Sequence, residues 1–409
     1  VFRVAAFFSS SIRENFMQEA RRLAEPETDV VVIPAPEEHH LIDAQAIEAI
    51  DIRAWYIVKK LALFLPAIFL FILAIQLMKA GAQAVGPQIQ GEFPFANGVS
   101  TLGTGWLGAY FVLSGSPVAA TAISLFGAGT LTKLQTFTML SGSRLGASFI
   151  VLLTGFLYAM RNPNRSRGES VGIGIQALTM TAIVYLPGML IGYAIIRAGL
   201  LDGMNWHASA KMEATLGKLW GPIVDFVSTR VPGWALFLVG LGVILVSFSL
   251  LDRVLPNLRN QTSISTHARW LKHPWTMFGL GCLVALLTLS VSVALTILVP
   301  LAAKGYVKRE DALPYIMGAN ITTLADTLVV AMMQNTPAAS QIVLAEAIGV
   351  TIVSIGILAF FYTPVKRSVL GLDDWLVASN RRLALFVGTL FLLPVSFLLS
   401  GLLVGTPGA

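Results

Sequence analysis

Two pairs of serines interrupt otherwise apolar stretches of this chain: Ser114 and Ser116 in Leu113-Ser114-Gly115-Ser116-Pro117, and Ser290 and Ser292 in Leu289-Ser290-Val291-Ser292. Ser116-Pro117 reads as a helix N-cap followed by proline at the first helical position. A half-helix starting there aims free N–H groups and the positive end of its dipole into the break. Two such ends facing each other form an anion site without a formal cation. The serine hydroxyls add donors, while freed carbonyls with Thr121 or Thr296 offer oxygen ligands to sodium. The plainer alternative is that intramembrane Ser and Thr bond back to helix carbonyls or let helices pack closely. Two pairs at matched positions, each with an aligned glycine downstream, favour a site.

Ionisable residues deep in the apolar blocks are few: Arg144, Asp326 and Glu346. Such residues are costly in lipid and read as functional unless a partner explains them. Arg144 and Asp326 are expected to pair. Their pairing is either a structural strut or part of a site. In a site, Arg144 offers an oxyanion a bidentate partner or a fixed charge in place of an ion, and Asp326 serves ion binding. Glu346 is expected near the interface, at the outer end of its span. His207, His267 and His273 fall in loops without ligand spacing, so no metal site is expected. Glu37-Glu38-His39-His40 reads as a solvated loop, because four adjacent residues do not converge on one ion. Nothing resembles a paired carboxylate or a Cys–His dyad, so neither an enzyme nor a cofactor is expected. The single cysteine, Cys282, excludes an intrachain disulfide.

The scaffold that must hold these residues is an all-α polytopic membrane protein. The 409 residues are 55% hydrophobic and only 12% charged, against about 25% charged in ordinary globular chains. Nine apolar blocks follow one another, and crossing a bilayer takes roughly 20 residues. Two blocks, 95–126 and 275–303, are long and broken by the serines. If all nine crossed once, the loop with Arg161, Arg165 and Arg167 would fall opposite Lys59 and Lys60. If the two broken blocks are re-entrant hairpins, every basic cluster falls on one side, as the positive-inside rule asks. That gives about seven full spans plus two hairpins, with a cytoplasmic N-terminus, in the cell membrane. Residues 1–54 carry a net charge of −5 and the remainder +11. The basic excess lies beside apolar spans and, lacking interleaved aromatics, does not suggest nucleic acid.

A shift of 176 residues aligns the hairpins without a gap. Gly103, Gly105, Leu107, Ala109, Leu113, Ser114 and Ser116 meet Gly279, Gly281, Leu283, Ala285, Leu289, Ser290 and Ser292, seven identities in fourteen positions. Gly142 likewise meets Gly318 and Arg144 meets Asn320. Three crossings separate the hairpins, which makes the topology of the two repeats inverted. Transporters of that design hold substrate and ions at midplane, where broken helices of the two halves meet. The expected organisation is an acidic cytoplasmic segment at 1–54, a first membrane repeat at 55–197 and an extracellular loop at 198–232. A second repeat at 233–362 and a cytoplasmic loop with a C-terminal span at 363–409 complete it. Within the first segment, Ile12–Leu23 reads as amphipathic and Asp29–Pro34 as a short strand. No h-region with a cleavage site follows Val1, so a cleaved signal peptide is not expected.

The serine motifs and the segments Gly142-Ser143-Arg144-Leu145-Gly146 and Gly318-Ala319-Asn320-Ile321-Thr322-Thr323 resemble the type II sodium-dependent phosphate cotransporter family. That family carries two Gln-Ser-Ser-Ser motifs, each followed by a Gly-Ala-Asn-Ile-Gly-Thr-Thr-like segment. The likeness covers roughly Leu61 to Tyr362. Here Leu113 and Leu289 replace the glutamines, Gly115 and Val291 the middle serines, and Arg144 the asparagine. The resemblance implies phosphate or a related small anion as substrate and sodium as coupling ion. It supports a substrate site of Ser114, Ser116, Ser290, Ser292 and Asn320, to which the intramembrane charge adds Arg144, and ion ligands from Thr322 and Thr323 beside Thr121, Thr296 and Asp326 as read above. Two alternatives stay open: a membrane anion sensor that does not transport, and a carrier of another anion without sodium coupling.

Overall fold

The computed structural model describes residues 38–90, 94–161, 167–204, 206, 209–254, 273–288, 290–303, 307–334 and 336–403. The expected amphipathic run Ile12–Leu23 and the strand at Asp29–Pro34 lie outside them, as do His207 and His267. Two compact units divide the chain, Val1–Lys59 and Lys60–Ala409. Of the first, only helical backbone from Glu38 onward is described, so Glu38, His39 and His40 lie in helix rather than in the expected loop.

The described residues are helical throughout, and seven helical stretches are long and apolar enough to cross a membrane. The chain is a polytopic α-helical membrane protein. Large apolar side chains such as Phe111, Phe360, Leu392 and Leu403 are exposed, a surface that water would not tolerate and lipid covers. The first span belongs to α1 (Glu38–Ile89). Two shorter helices, α2 (Gly98–Val112) and α3 (Ser116–Gly127), form the first broken block. Asn97 starts α2 with a capping box, its side chain accepting from the Val99 and Ser100 amides while Ser100 accepts from Asn97 N. The next span is α4 (Lys133–Ala147) and α5 (Phe149–Arg161), interrupted at Ser148. Helix α6 (Arg167–Arg197) follows.

The second half repeats this order. After α7 (Ala210–Ser228) and the span α8 (Gly233–Val254), the second broken block is α9 (Pro274–Thr288), α10 (Val291–Thr296) and α11 (Leu298–Ala303). Then comes a span interrupted at Thr323, α12 (Arg309–Thr322) and α13 (Leu324–Met332). Helix α14 (Pro337–Gly356) runs through a π-helical turn at Ile357–Phe361 into α15 (Tyr362–Val377), and α16 (Asn380–Leu403) closes the chain.

In lipid, helices associate through close packing at small residues, since tails are as apolar as leucine. The glycines do this at corresponding places. A Cβ on Gly105 would strike the Met139 carbonyl, and one on Gly142 the Leu102 carbonyl, so α2 and α4 touch backbone to backbone. Gly281 meets the Tyr315 carbonyl and Gly318 the Phe278 carbonyl in the same way, joining α9 to α12. Each glycine and each carbonyl it meets lies 176 residues from its counterpart.

Two expected loops prove helical. Residues 198–232 contain α7, because Leu216, Trp220, Ile223, Val224 and Val227 recur at helical spacing and pack with Leu70, Leu73 and Leu77 of α1. The Trp220 indole also donates to the Phe69 carbonyl at 3.1 Å. Residues 363–377 extend α14 as α15 instead of looping. Val369 and Leu376 face inward there, and the buried Asp373 carboxylate accepts from Gln176 of α6 at 2.7 Å.

Candidate functional site

The first break is a sharp one. Leu113 sits in the left-handed region at φ 56°, the one non-glycine residue to do so among those described. Gly115, rather than Ser116, is the N-cap of α3, and Ser116 is its first helical residue, without a capping bond. The reason is contact. A Cβ at position 115 would lie 2.7 Å from the Ser143 carbonyl and 3.0 Å from the Ala147 Cβ, so the turn must happen where a glycine lets the backbone touch α4. In the second break Ser290 is the N-cap, accepting from the Val293 amide at 3.3 Å. The half-helices therefore begin just after Gly115 and Ser290, the first of them capped one residue before the serine that the proline marked.

The breaks meet. The Ser292 hydroxyl donates to the Leu113 carbonyl at 3.4 Å, across 179 residues of sequence. Ser114, Ser290 and Ser292 are half-buried and Ser116 is buried. All four lie at the two breaks.

Next to Ser143, where Gly115 touches α4, stands Arg144, 2% exposed. Its guanidinium reaches α13, with Nη2 to the Asp326 Oδ1 at 3.3 Å, Nη1 donating to Thr323 Oγ1 at 3.2 Å, and Nη2 donating to Thr327 Oγ1. The expected pair is thus formed. It is one-sided: Oδ1 also accepts from the Thr327 hydroxyl at 2.9 Å, whereas Oδ2 and the Arg144 Nε have no hydrogen-bond partner. A single contact leaves half of the bidentate geometry of each group unused.

Asn320 anchors the same region to α6. Its Nδ2 donates to Thr181 Oγ1 at 3.0 Å, Thr181 shares a 2.7 Å bond with Ser148, and the Tyr185 hydroxyl donates to the Asn320 carbonyl at 2.7 Å. Of the remaining residues, Thr322 donates to the Cys282 carbonyl at 2.8 Å, linking α12 to α9. Thr121 and Thr296 donate to carbonyls of their own helices, Pro117 at 2.9 Å and Val293 at 3.2 Å. Their hydroxyl protons are spent, and only their lone pairs face outward. The residues thus fall into two groups, the serines at the breaks and Arg144, Thr323 and Asp326 in one cluster, with Asn320 beside it.

Sequence reasoning passed over Thr327, Thr181, Ser148 and Tyr185, which complete the network. Thr181 and Tyr185 stand four apart on one face of α6, and that spacing was the available signal. Glu346 is not interfacial. It is fully buried in α14, with Ser141 of α4 the polar side chain in reach of its carboxyl. Glycine contacts cause this: Gly349 meets the Gly188 carbonyl, and Gly192 lies against the Ala345 carbonyl, so α6 closes over that stretch of α14. No group of three His, Cys, Asp or Glu gathers among the described residues.

A second ionic cluster ties α12 to α15. Arg309 reaches Asp373 at 3.4 Å and Asp374 at 2.5 Å, and Lys366 reaches Glu310 at 2.7 Å. Compared with family models, curated proteins and solved structures, the chain matches none.

Proposed function

We propose that this chain is a secondary transporter built from two inverted repeats, each with a re-entrant broken hairpin. It carries phosphate or a similar small anion with sodium by alternating access. The reading rests on one observation above all: two breaks, 176 residues apart and at matched positions, touch through Ser292 and the Leu113 carbonyl. Unwound backbone at membrane depth is tolerated where it lines a cavity or is buried in protein, and transporters use it to hold ions and substrates. In this reading the amides opening α3 and α10, with Ser114, Ser116, Ser290 and Ser292, face the anion. Asp326 and Thr323, with the lone pairs of Thr121, Thr296 and Thr322, face sodium, and Arg144 supplies a fixed charge between the two. The basic loops lie in the cytoplasm with the N-terminus, and the kinship proposed is with the type II sodium-dependent phosphate cotransporters.

Uptake of labelled phosphate into proteoliposomes, with and without a sodium gradient, tests this. Ser116→Ala and Ser292→Ala are each expected to cut uptake at least tenfold, because a donor to a desolvated anion is worth about 1.5–3 kcal/mol. Membrane insertion should stay intact. Ser249, exposed on α8, is the control, whereas the Ser247 hydroxyl of the same helix donates to the Ala67 carbonyl at 2.7 Å and holds α8 to α1. Equal uptake in all three alanine variants removes the serines from the site.

A further inference from the structure

We infer that Glu346 is a proton-binding site, an interior acid that takes up and returns a proton as the central cluster rearranges. Its role in a cycle rests on the transport reading above; the binding of the proton does not.

Charge balance in the core carries the inference. The groups that face Glu346 can be named helix by helix. Arg144 and Ser141 come from α4 and Tyr185 from α6, Tyr185 lies within electrostatic reach of Arg144, Glu346 and Asp326, and Asp326 of α13 pairs with the same Arg144. Helix α3 brings no ionisable residue. On α12, Tyr315 donates to the Ala294 carbonyl, and Arg309 and Glu310 pair with α15 at the far end. One cation therefore stands against two buried carboxyls. The guanidinium spends its bonds on Asp326, Thr323 and Thr327, not on Glu346. A fully ionised set leaves one negative charge uncompensated in the membrane interior, which is among the costliest arrangements a protein can hold.

Something positive must balance that charge, and the surroundings favour a proton over a metal cation. A hard cation gathers a shell of about six oxygen ligands. Beside Glu346 the Ser141 hydroxyl already donates to the Phe137 carbonyl at 3.0 Å, and the Tyr185 hydroxyl donates to the Asn320 carbonyl. The neighbouring positions Ile342, Val343 and Ala347 pack into an apolar cluster with Phe137, Leu140 and Met189. Those two hydroxyls keep lone pairs, yet with the carboxylate they fall short of such a shell, whereas a proton needs one oxygen. The donors around Arg144 supply a route for change: if Asp326 or an arriving anion shifts the guanidinium, the field at Glu346 shifts with it.

Infrared spectroscopy of the purified protein, titrated through the physiological pH range, reads the site directly. A protonated carboxyl band is expected in the wild type, lost in Glu346→Gln and displaced in Glu346→Asp, which keeps a carboxyl and guards against misfolding of the amide variant. Identical spectra for wild type and Glu346→Gln at every pH overturn the proposal. So does a band that disappears on adding sodium chloride at fixed pH, since sodium is then the occupant. In proteoliposomes with sodium held equal on both sides, a pH gradient should alter phosphate uptake by the wild type and not by Glu346→Gln. Uptake indifferent to the gradient in both overturns the coupling role. A Glu346-dependent band together with no phosphate uptake at all supports the proton site and removes the phosphate reading instead.

Discussion

The two halves of the membrane domain agree in backbone where their glycines pack and disagree in side-chain chemistry. Gly105 and Gly142 bring α2 onto α4 through the same contacts by which Gly281 and Gly318 bring α9 onto α12. Yet Arg144, on α4, corresponds to Asn320, on α12, and the two spend themselves differently. Arg144 reaches across to Asp326 of the other half, while Asn320 bonds locally to Thr181 of α6. Close packing of backbones leaves no latitude, so those positions stay glycine in both halves. The polar positions face a shared interior, where a charge in one half only needs its complement in the other.

Breaking the shared part should have the largest effect. Gly142→Val or Gly318→Val drives a side chain into a carbonyl of the partner helix. Backbone cannot give way as a side chain does, so the loss should exceed the roughly 1–3 kcal/mol typical of overpacking. Both variants are expected to fail to yield a monodisperse protein on size-exclusion chromatography. A well-folded Gly318→Val beside a misfolded Gly142→Val would show that the halves are not packed alike.

The unshared part comes next. Arg144→Asn makes the two halves alike at this position but strands Asp326, at a cost of about 3–5 kcal/mol for a broken buried pair. Thermal melting should register that loss, and Arg144→Asn with Asp326→Thr should recover most of it. If the single variant melts like the wild type, the pair is no strut, and its sodium and phosphate dependence then decides whether it belongs to a site.

The smallest effect sharpens the comparison at equivalent positions. Thr121→Ala and Thr296→Ala remove hydroxyls that donate only to their own helices. Melting should shift by no more than about 0.5 kcal/mol, as for substitutions that break no tertiary contact. Half-saturation by sodium should nonetheless rise in both. An unchanged sodium response in both would leave these hydroxyls as helix back-bonds alone.

Much of this architecture could be read from residue order, and the failures are instructive. The glycine register at a shift of 176 pointed to equivalent contacts because glycine in a membrane helix marks where another backbone comes close. Arg144 and Asp326 were matched because a charge in an apolar block needs an opposite. Glu346 was misjudged because its depth was gauged along its own helix, while its burial comes from glycines on α6, and sequence does not say which helix a glycine meets. The start of α3 was misplaced by giving Pro117 more weight than the contact of Gly115 on Ser143. Helix α7 was missed because its charges hid the apolar face that packs on α1. Thr327 carries no signature at all: a lone threonine in an apolar helix reads the same whether it packs or bonds.

The continuous stretch Pro337–Val377 is 41 residues long, about 60 Å at 1.5 Å per residue, roughly double the hydrocarbon thickness of a bilayer. It cannot fit within the membrane along its length. With Glu346 beside the Arg144 cluster in its first half and Asp373 clamped by Arg309 near its other end, it acts as an axle between the polar core and that clamp. A rotation at one end must be felt at the other unless the π-helical turn at Ile357–Phe361 absorbs it. That turn therefore sets how tightly the far ionic clamp is geared to the core.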